Sequence, residues 1–370
     1  MIASREILVN RNRIRIDRIA RVRPAKPGRG KGVCGPEMKK NFVSAQDVAA
    51  LAGVSRSAVS RAFTPGASIA DDTRHRVVMA ANTLGYQVNQ LARGLMVNRS
   101  GIVCLIVTEM DTPYRARLVR VLTQALQDAG NIAMIINTDR SDESVAQALQ
   151  QTMRYRADAS ILLSGLPDRS IVQRCLDNGQ RLVLINRDDP IEGPYRINLD
   201  DAGAARQALN AFLAAGCRRL AFANSAVGTP SLMAREQGFL EAARAHGLSV
   251  TVVRHGATLY QSGTTLAQSL LAGPNRPDAI FCVTDLIACG VMDVARQQFG
   301  LRIPEDLCII GFDDIEQASW GAYELTSFAQ PITAIAGAAM AALADDTPNG
   351  LINQRLNSPL IWRKTVREPS

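Results

Sequence analysis

The sequence predicts two kinds of domain in tandem: a small all-α unit built around a helix-turn-helix, and behind it an α/β domain of two doubly wound parallel-sheet lobes. Three observations carry this. Positive charge is confined to the first quarter of the chain, two short amphipathic helical patterns flank a Gly-Val-Ser turn at 53–55, and from Gly101 onward short apolar runs alternate with helical stretches in two successive series. At 370 residues the chain also exceeds the roughly 100–200 residues of one domain, and its 47% apolar content is enough for a sizeable core.

The net charge of +8 divides unevenly: residues 1–37 carry +7, residues 38–99 carry +5 and residues 100–370 carry −4. Such asymmetry marks a polyanion partner near the N-terminus, with an ordinary acidic globule behind it. Within 1–37 the stretch "RPAKPGRGKGVCGP" is too rich in Pro and Gly to hold a regular element. These residues are expected to form a basic, disordered extension, and Met38 opens "MKKNFVSAQDV" immediately before the first folded signal.

Residues 38–99 form the expected helical unit. Ser44 caps a helix running to Ala52 with Val48, Ala49 and Leu51 as its apolar stripe. Gly53 permits a left-handed turn, Val54 plugs the core, and Ser55 caps a second helix through Phe63. On that helix Ala58, Val59 and Ala62 face inward, leaving Arg56, Ser57, Ser60 and Arg61 on its exposed start and outer face. A second helix so exposed suits the DNA major groove, where arginine reads guanine bidentately. The pattern by itself fits a helical hairpin with solvated arginines equally well. A third helix, "DDTRHRVVMAANTLGY", brings Val77, Val78, Ala81 and Leu84 to close a three-helix core.

Residues 100–370 carry the strands. "GIVCLIVT" (101–108), "NIAMIINT" (131–138), "ASILLSG" (159–165) and "RLVLINR" (181–187) make the first series. "RRLAFANS" (218–225), "VTVVRHG" (250–256), "AIFCVTD" (279–285) and "DLCIIGFDD" (306–314) make the second, with "NRDDPIEGPYRINLD" between them. Apolar strands spaced by helices indicate parallel sheets covered on both faces, and a ligand cleft at the strands' carboxyl ends.

Several function classes are disfavoured. No G-x-G-x-x-G follows the first strand, and neither a P-loop nor a G-x-S-x-G elbow occurs, so no catalytic residue is assigned. Seven cysteines without a C-x-x-C pair read as reduced core thiols, and the three histidines lack metal-ligand spacing; neither cofactor nor metal is expected. No apolar run approaches the ~18 residues of a membrane span, and no apolar h-region precedes the first arginines. A cytoplasmic protein without membrane contact is expected.

The order "DVAALAGVSRSAVSRAF", "TRHRVVMAANTLGYQVNQLARGLMVNRSG", then two parallel lobes, resembles the lac-repressor (LacI/GalR) family of bacterial transcription regulators over residues 42 to about 367. The stretches "AREQGF", "VTDLIACG", "LRIPEDLCIIGFDD", "LTSFAQPI" and "LIWRKTVREP" agree with it in the same order. The resemblance implies lobes like those of periplasmic sugar-binding proteins. It implies a transcription regulator, a repressor, that binds double-stranded operator DNA and responds to a small-molecule effector. Base contact then falls to Arg56, Ser57 and Arg61, and phosphate contact to Ser44 and Ser60. Leu95 in "ARGLM" matches the hinge-helix leucine that wedges into the minor groove.

Arg235 and Asp285 match effector-binding positions, where a guanidinium and a carboxylate together grip vicinal hydroxyls, and Tyr114 matches a position that stacks on the ligand. Two departures alter the expected ligand: Arg115 stands where the family often has a second aromatic, and Thr258 where a further ring often lies. An acidic sugar or other anionic metabolite becomes credible beside a neutral sugar. The chain ends shortly after "TVRE" without further leucine heptads, so a homodimer is expected. The competing reading is a solute-binding receptor of a transport system, which shares the lobes but needs neither the basic segment nor the helix-turn-helix.

Overall fold

The computed structural model describes residues 42–64, 66–88, 94, 99–139, 141–163, 168–187, 192–344 and 353–368. The expectations for residues 1–37 and for Leu95 fall outside them. The described residues form two compact units that divide after Val88.

In the first unit α1 (Ala45–Ala52), α2 (Arg56–Ala62) and α3 (Asp71–Leu84) follow one another. Ser44 and Asp47 form a reciprocal capping box on α1: the Asp47 N–H donates to Ser44 Oγ at 3.3 Å and the Ser44 N–H to Asp47 Oδ2 at 2.8 Å. Gly53 stops the helix at φ 65°, a left-handed conformation that costs glycine little. Ser55 caps α2 by accepting from the Ala58 N–H. The shared core is Val48, Ala49, Ala52, Val59, Ala62, Val77, Ala80 and Ala81. Two expected core residues point outward: Leu51 is 54% exposed and Val78 36%. Each lies about 100° around its helix from the buried stripe, where the small Ala52 and Ala80 take the inward places.

The second unit holds the two lobes. The first lobe is built from β1 (Ile102–Val107), α4 (Pro113–Asp128), β2 (Ile132–Asn137), α5 (Asp142–Arg154), β3 (Ala159–Leu162), α6 (Arg169–Asp177), β4 (Arg181–Ile185) and β5 (Tyr195–Leu199). The second comprises α7 (Asp201–Ala214), β6 (Leu220–Asn224), α8 (Pro230–Ala245), β7 (Val250–Arg254), α9 (Tyr260–Leu271), β8 (Ala279–Cys282), α10 (Asp285–Gln297), β9 (Cys308–Asp313), a 3-10 turn (Glu316–Ser319) and β10 (Ser327–Ala329). The chain then returns through α11 (Ile332–Ala344), which packs on α4, β4 and β5, and ends with β11 (Asn353–Leu356) and β12 (Leu360–Ile361).

The strand orders are β11-β5-β4-β3-β1-β2 and β12-β10-β9-β8-β6-β7. Every pairing is parallel except β10 with β12. β11 thus completes the first sheet and β12 the second, so the chain passes between the lobes after β5, β10 and β11. Burial explains the parallel arrangement: all six residues of β1 are buried, as are all of β6 and β8. In the second lobe Phe222, Phe239, Phe281, Phe312 and Phe328 pack ring to ring at 5.2 to 6.0 Å. The eight strands read from apolar runs are present; β5, β10, β11 and β12 are additions, β5 lying in the stretch read as a connector.

Candidate functional site

The helical unit presents its polar residues as the local sequence dictates. Arg56, Ser57, Ser60 and Arg61 are all exposed on α2, because Val59 and Ala62 occupy its inward face. Ser57 Oγ lies 2.8 Å from Ser55 Oγ. Ser44 caps α1, with its hydroxyl 2.7 Å from Asp47 Oδ2, and remains exposed. Two arginines of the same basic segment have other work. Arg74 donates to the Ala62 and Ala67 carbonyls at 2.6 and 3.1 Å, and Arg76 to the Ala52 carbonyl at 3.2 Å. They satisfy carbonyls that α1, α2 and the following loop leave open.

In the second unit the strands' carboxyl ends surround a cleft between the lobes, as doubly wound sheets require. It measures about 740 Å³ counted to its open mouth and is lined from both lobes. Tyr114, Arg115, Asn186 and Arg187 contribute from the first; Arg235, Thr258, Thr284, Asp313 and Gln330 are among those on the other side. Three helices begin here with a threonine that makes no side-chain cap: Thr112 before α4, Thr229 before α8 and Thr284 before α10. Helices α5, α6 and α7, by contrast, are capped by Ser141, Asp168 and Asp200. The first-turn N–H groups of α4, α8 and α10 therefore leave a positive potential over the cleft, suited to oxygen-rich or negative groups. The buried Thr284 Oγ1 and Asn186 Oδ1 make no hydrogen bond, which offers a ligand two further polar positions.

Backbone strain gathers at the same place. Glu109, Asn186 and Asp313 line the cleft with φ of 51°, 56° and 115°, values that non-glycine residues adopt at a cost and that concentrate at ligand sites.

Of the four residues matched to effector positions, Tyr114, Arg115 and Arg235 line the cleft. The Tyr114 hydroxyl accepts from Asn186 Nδ2 at 3.5 Å, and burial pushes its ionisation well up. Arg115 donates to the Leu163 carbonyl and lies beside the Tyr114 ring. Arg235 is buried: its Nε pairs with Asp201 Oδ1 at 2.7 Å, Nη1 donates to the Val283 carbonyl at 2.9 Å, and the guanidinium sits 3.4 Å over the Phe312 ring.

Asp285 lies outside the lining and is fully buried. Its Oδ2 accepts the Ile315 N–H at 2.9 Å and its Oδ1 the Ser327 hydroxyl at 2.6 Å, tying α10 to β10 and to the loop after β9. A Cβ on Gly311 would stand 2.1 Å from that carboxylate, so only glycine fits there. Burial first, and then the charge of Asp313, pushes the Asp285 carboxyl up to about 8. Because this exceeds the ordinary 3.8, its contribution to stability is fully present below that ordinary value and is lost as pH rises through about 8. Asp285→Asn is expected to flatten the decline of unfolding free energy over this window, which urea titrations at its two ends measure.

Three polar residues absent from the sequence-derived set complete the cleft. Gln330 donates to Asp313 Oδ1 at 2.6 Å and accepts from Asn186 Nδ2 at 3.5 Å, linking the lobes. Burial, opposed by Arg235, holds Asp313 up at about 6. Their signal was position: each follows the carboxyl end of a strand or closes it.

Residues 44–89 match a family model described as bacterial regulatory proteins, lacI family, and residues 209–366 one described as a periplasmic binding protein-like domain. The HTH-type transcriptional repressor CytR of Escherichia coli (strain K12) is 31% identical over 329 residues, 87% of this chain and 96% of its own length. The HTH-type transcriptional regulator CelR of Thermobifida fusca is 31% identical over 330 residues, with the same coverage of 87% and 96%. The solved lac repressor dimer bound to operator and the anti-inducer ONPF shares the fold, with a TM-score of 0.79 and 21% identity over 88% of this chain and 99% of that one. A CelR–cellobiose complex aligns with a TM-score of 0.63 and 27% identity over 87% and 99%.

Proposed function

Because the chain belongs to the lacI family of bacterial regulatory proteins, we propose that it is a homodimeric repressor whose operator affinity is set by a sugar or acidic sugar derivative bound between its lobes. The chain regulates transcription through DNA binding and is not an enzyme. A solute-binding receptor would have no use for the helical unit at 44–89. Residues 38–99 form the DNA-binding domain and hinge, with Leu95 as the wedge, and residues 100–370 the effector-binding and dimerisation domain. Arg56, Ser57 and Arg61 read bases while Ser44 and Ser60 meet phosphates. Such a regulator works in the cytoplasm, and no described helix is long and apolar enough to cross a membrane.

The observation that carries the effector class is the convergence of three helix starts without side-chain caps on a cleft also lined by Arg115 and Arg187. Hydroxyl-rich, negatively charged ligands satisfy both features. Tyr114 supplies a ring face to such a ligand; Asp285 acts on it by holding Thr284, Leu286 and Ile315 in place around it. The dimer reading is supported by edge strand β2, where Ile132 and Ile135 are 55% and 41% exposed.

Calorimetry with an acidic sugar and its neutral counterpart tests the effector class. Arg115→Ala is expected to weaken the acidic ligand by about 1.5–3 kcal/mol and leave the neutral one unchanged. Equal loss for both ligands would refute an anionic subsite. Selection of bound sequences from random DNA is expected to return a pseudo-palindrome whose affinity changes with ligand, by the same factor that operator changes ligand affinity. Indifference to sequence would overturn the regulator reading.

A further inference from the structure

Away from the cleft, at the amino ends of the second lobe's strands, two thiols meet beneath the C-terminal segment. Cys217, in the turn between α7 and β6, and Cys308, the first residue of β9, are fully buried, and their thiols face the carbonyls of Asp278 and Pro304, each at 3.7 Å. Both gather at the Asp278 carbonyl: Cys217 Sγ lies 3.7 Å from its oxygen, and the Cys308 N–H donates to it at 2.9 Å. Arg367 closes the site. Its Nη2 donates to Cys217 Sγ at 3.0 Å and its backbone N–H to Cys308 Sγ at 3.5 Å. Its remaining guanidinium donors go to the carbonyls of Ala215, Pro304 and Glu305 at 2.9 to 3.1 Å. Two sulfurs therefore share one cation and two N–H donors, the environment that stabilises a thiolate.

The other buried thiols lack this setting. Burial pushes Cys104 and Cys289 up to about 12 and Cys175 to about 11. Cys308 moves the other way, to about 7: the influence of the Cys217 thiol outweighs burial, with Arg367 adding to it, while Cys217 is pushed up. The first ionisation belongs to the pair. Arg367 is itself only half-buried, so the residue that covers both sulfurs lies at the surface.

We propose that Cys217 and Cys308 form a redox-active dithiol that hydrogen peroxide closes to a disulfide and a thiol reductant reopens. The Cys308 thiolate attacks one peroxide oxygen and the O–O bond breaks. Sulfenic acid forms on Cys308, and the hydroxide released takes up the proton lost in forming the thiolate. Cys217 then attacks the sulfenic sulfur, a second water leaves, and the S–S bond forms. Two electrons pass from the two sulfurs to one peroxide. The bond ties the turn before β6 to β9 across the intervening β8 and removes the thiolate against which the Arg367 backbone N–H rests.

Peptide mapping of the full-length protein under non-reducing conditions, after graded peroxide treatment, tests this. The expected product links the Cys217 and Cys308 peptides, reverts with dithiothreitol, and forms while Cys104, Cys175, Cys282 and Cys289 remain thiols. Cys217→Ser is expected to abolish the link and leave a sulfenic acid on Cys308 that dimedone captures. Arg367→Ala is expected to slow oxidation severalfold near neutral pH, and Arg367→Lys, which keeps the charge and disturbs the fold less, to slow it less. Native Cys217 and Cys308 that stay reduced at peroxide levels oxidising the denatured chain would overturn the proposal, as would prior oxidation of any other buried cysteine.

Discussion

Arg235→Ala is expected to destabilise the α/β domain by about 3–5 kcal/mol, enough to shift its urea midpoint well below that of the parent protein. Arg235 and Asp201 are 2% and 7% exposed, so removing the guanidinium strands a carboxylate without its counter-charge. Burial already raises the Asp201 carboxyl against the opposing pull of Arg235. The lost packing on Phe312 and the orphaned Val283 carbonyl add to the effect. Adding Asp201→Asn to the variant is expected to recover much of the loss, because the uncompensated charge disappears. An unchanged midpoint for Arg235→Ala would mean that the pair contributes nothing to the fold. The same coupling governs how effector experiments are read. A variant that loses both stability and ligand response has not lost a ligand contact alone, so ligand titrations belong under conditions where the variant is folded.

Operator affinity is expected to fall by ~10³–10⁵ between about 50 and 200 mM salt, for about 6–10 phosphate contacts. The charge distribution requires this: residues 38–99 carry +5 against −4 for residues 100–370. Arg56→Ala is expected to cost ~1–3 kcal/mol and to relax preference at one base pair in each half-site. Ser60→Ala is expected to weaken all sequences alike. A selected sequence unchanged by Arg56→Ala would place readout elsewhere, and a flat salt response would remove the phosphate contacts. Arg74 supplies the internal contrast: its loss is expected to lower unit stability, since it closes the Ala62 and Ala67 carbonyls.

What the sequence revealed follows from the physics of each signal. Buried parallel strands announce themselves as uninterrupted apolar runs, which is why β1, β3, β4, β6, β8 and β9 were legible. β11, "NQRL", is exposed along most of its length and polar, so only its pairing with β5 makes it a strand. β5 hid in a Pro- and Gly-containing stretch. In the helical unit, caps and the Gly53 turn were legible because they depend on adjacent residues, whereas Leu51 and Val78 were misplaced because size outweighed angle in the reading. The stretches that marked Arg235 and Tyr114 carry both to the cleft lining. Asn186, Asp313 and Gln330 were not legible, since their role arises only when chain segments more than 120 positions apart meet. Asp285 shows the converse: its motif marks the position, and its burial against Ser327 and Ile315 is a property of the folded lobe alone.

The three passages between the lobes bear on how this protein can be recombined. Neither lobe is a contiguous stretch of gene: the first needs β1 to β5 together with α11 and β11, the second β6 to β10 together with β12. A chimera that exchanges residues 100–200 alone would seat a foreign sheet against the resident β11 and α11, mismatching the β5 edge. Transplanting ligand specificity from a relative therefore calls for grafting the whole of 100–370 onto the helical unit, or for cutting at all three passages at once.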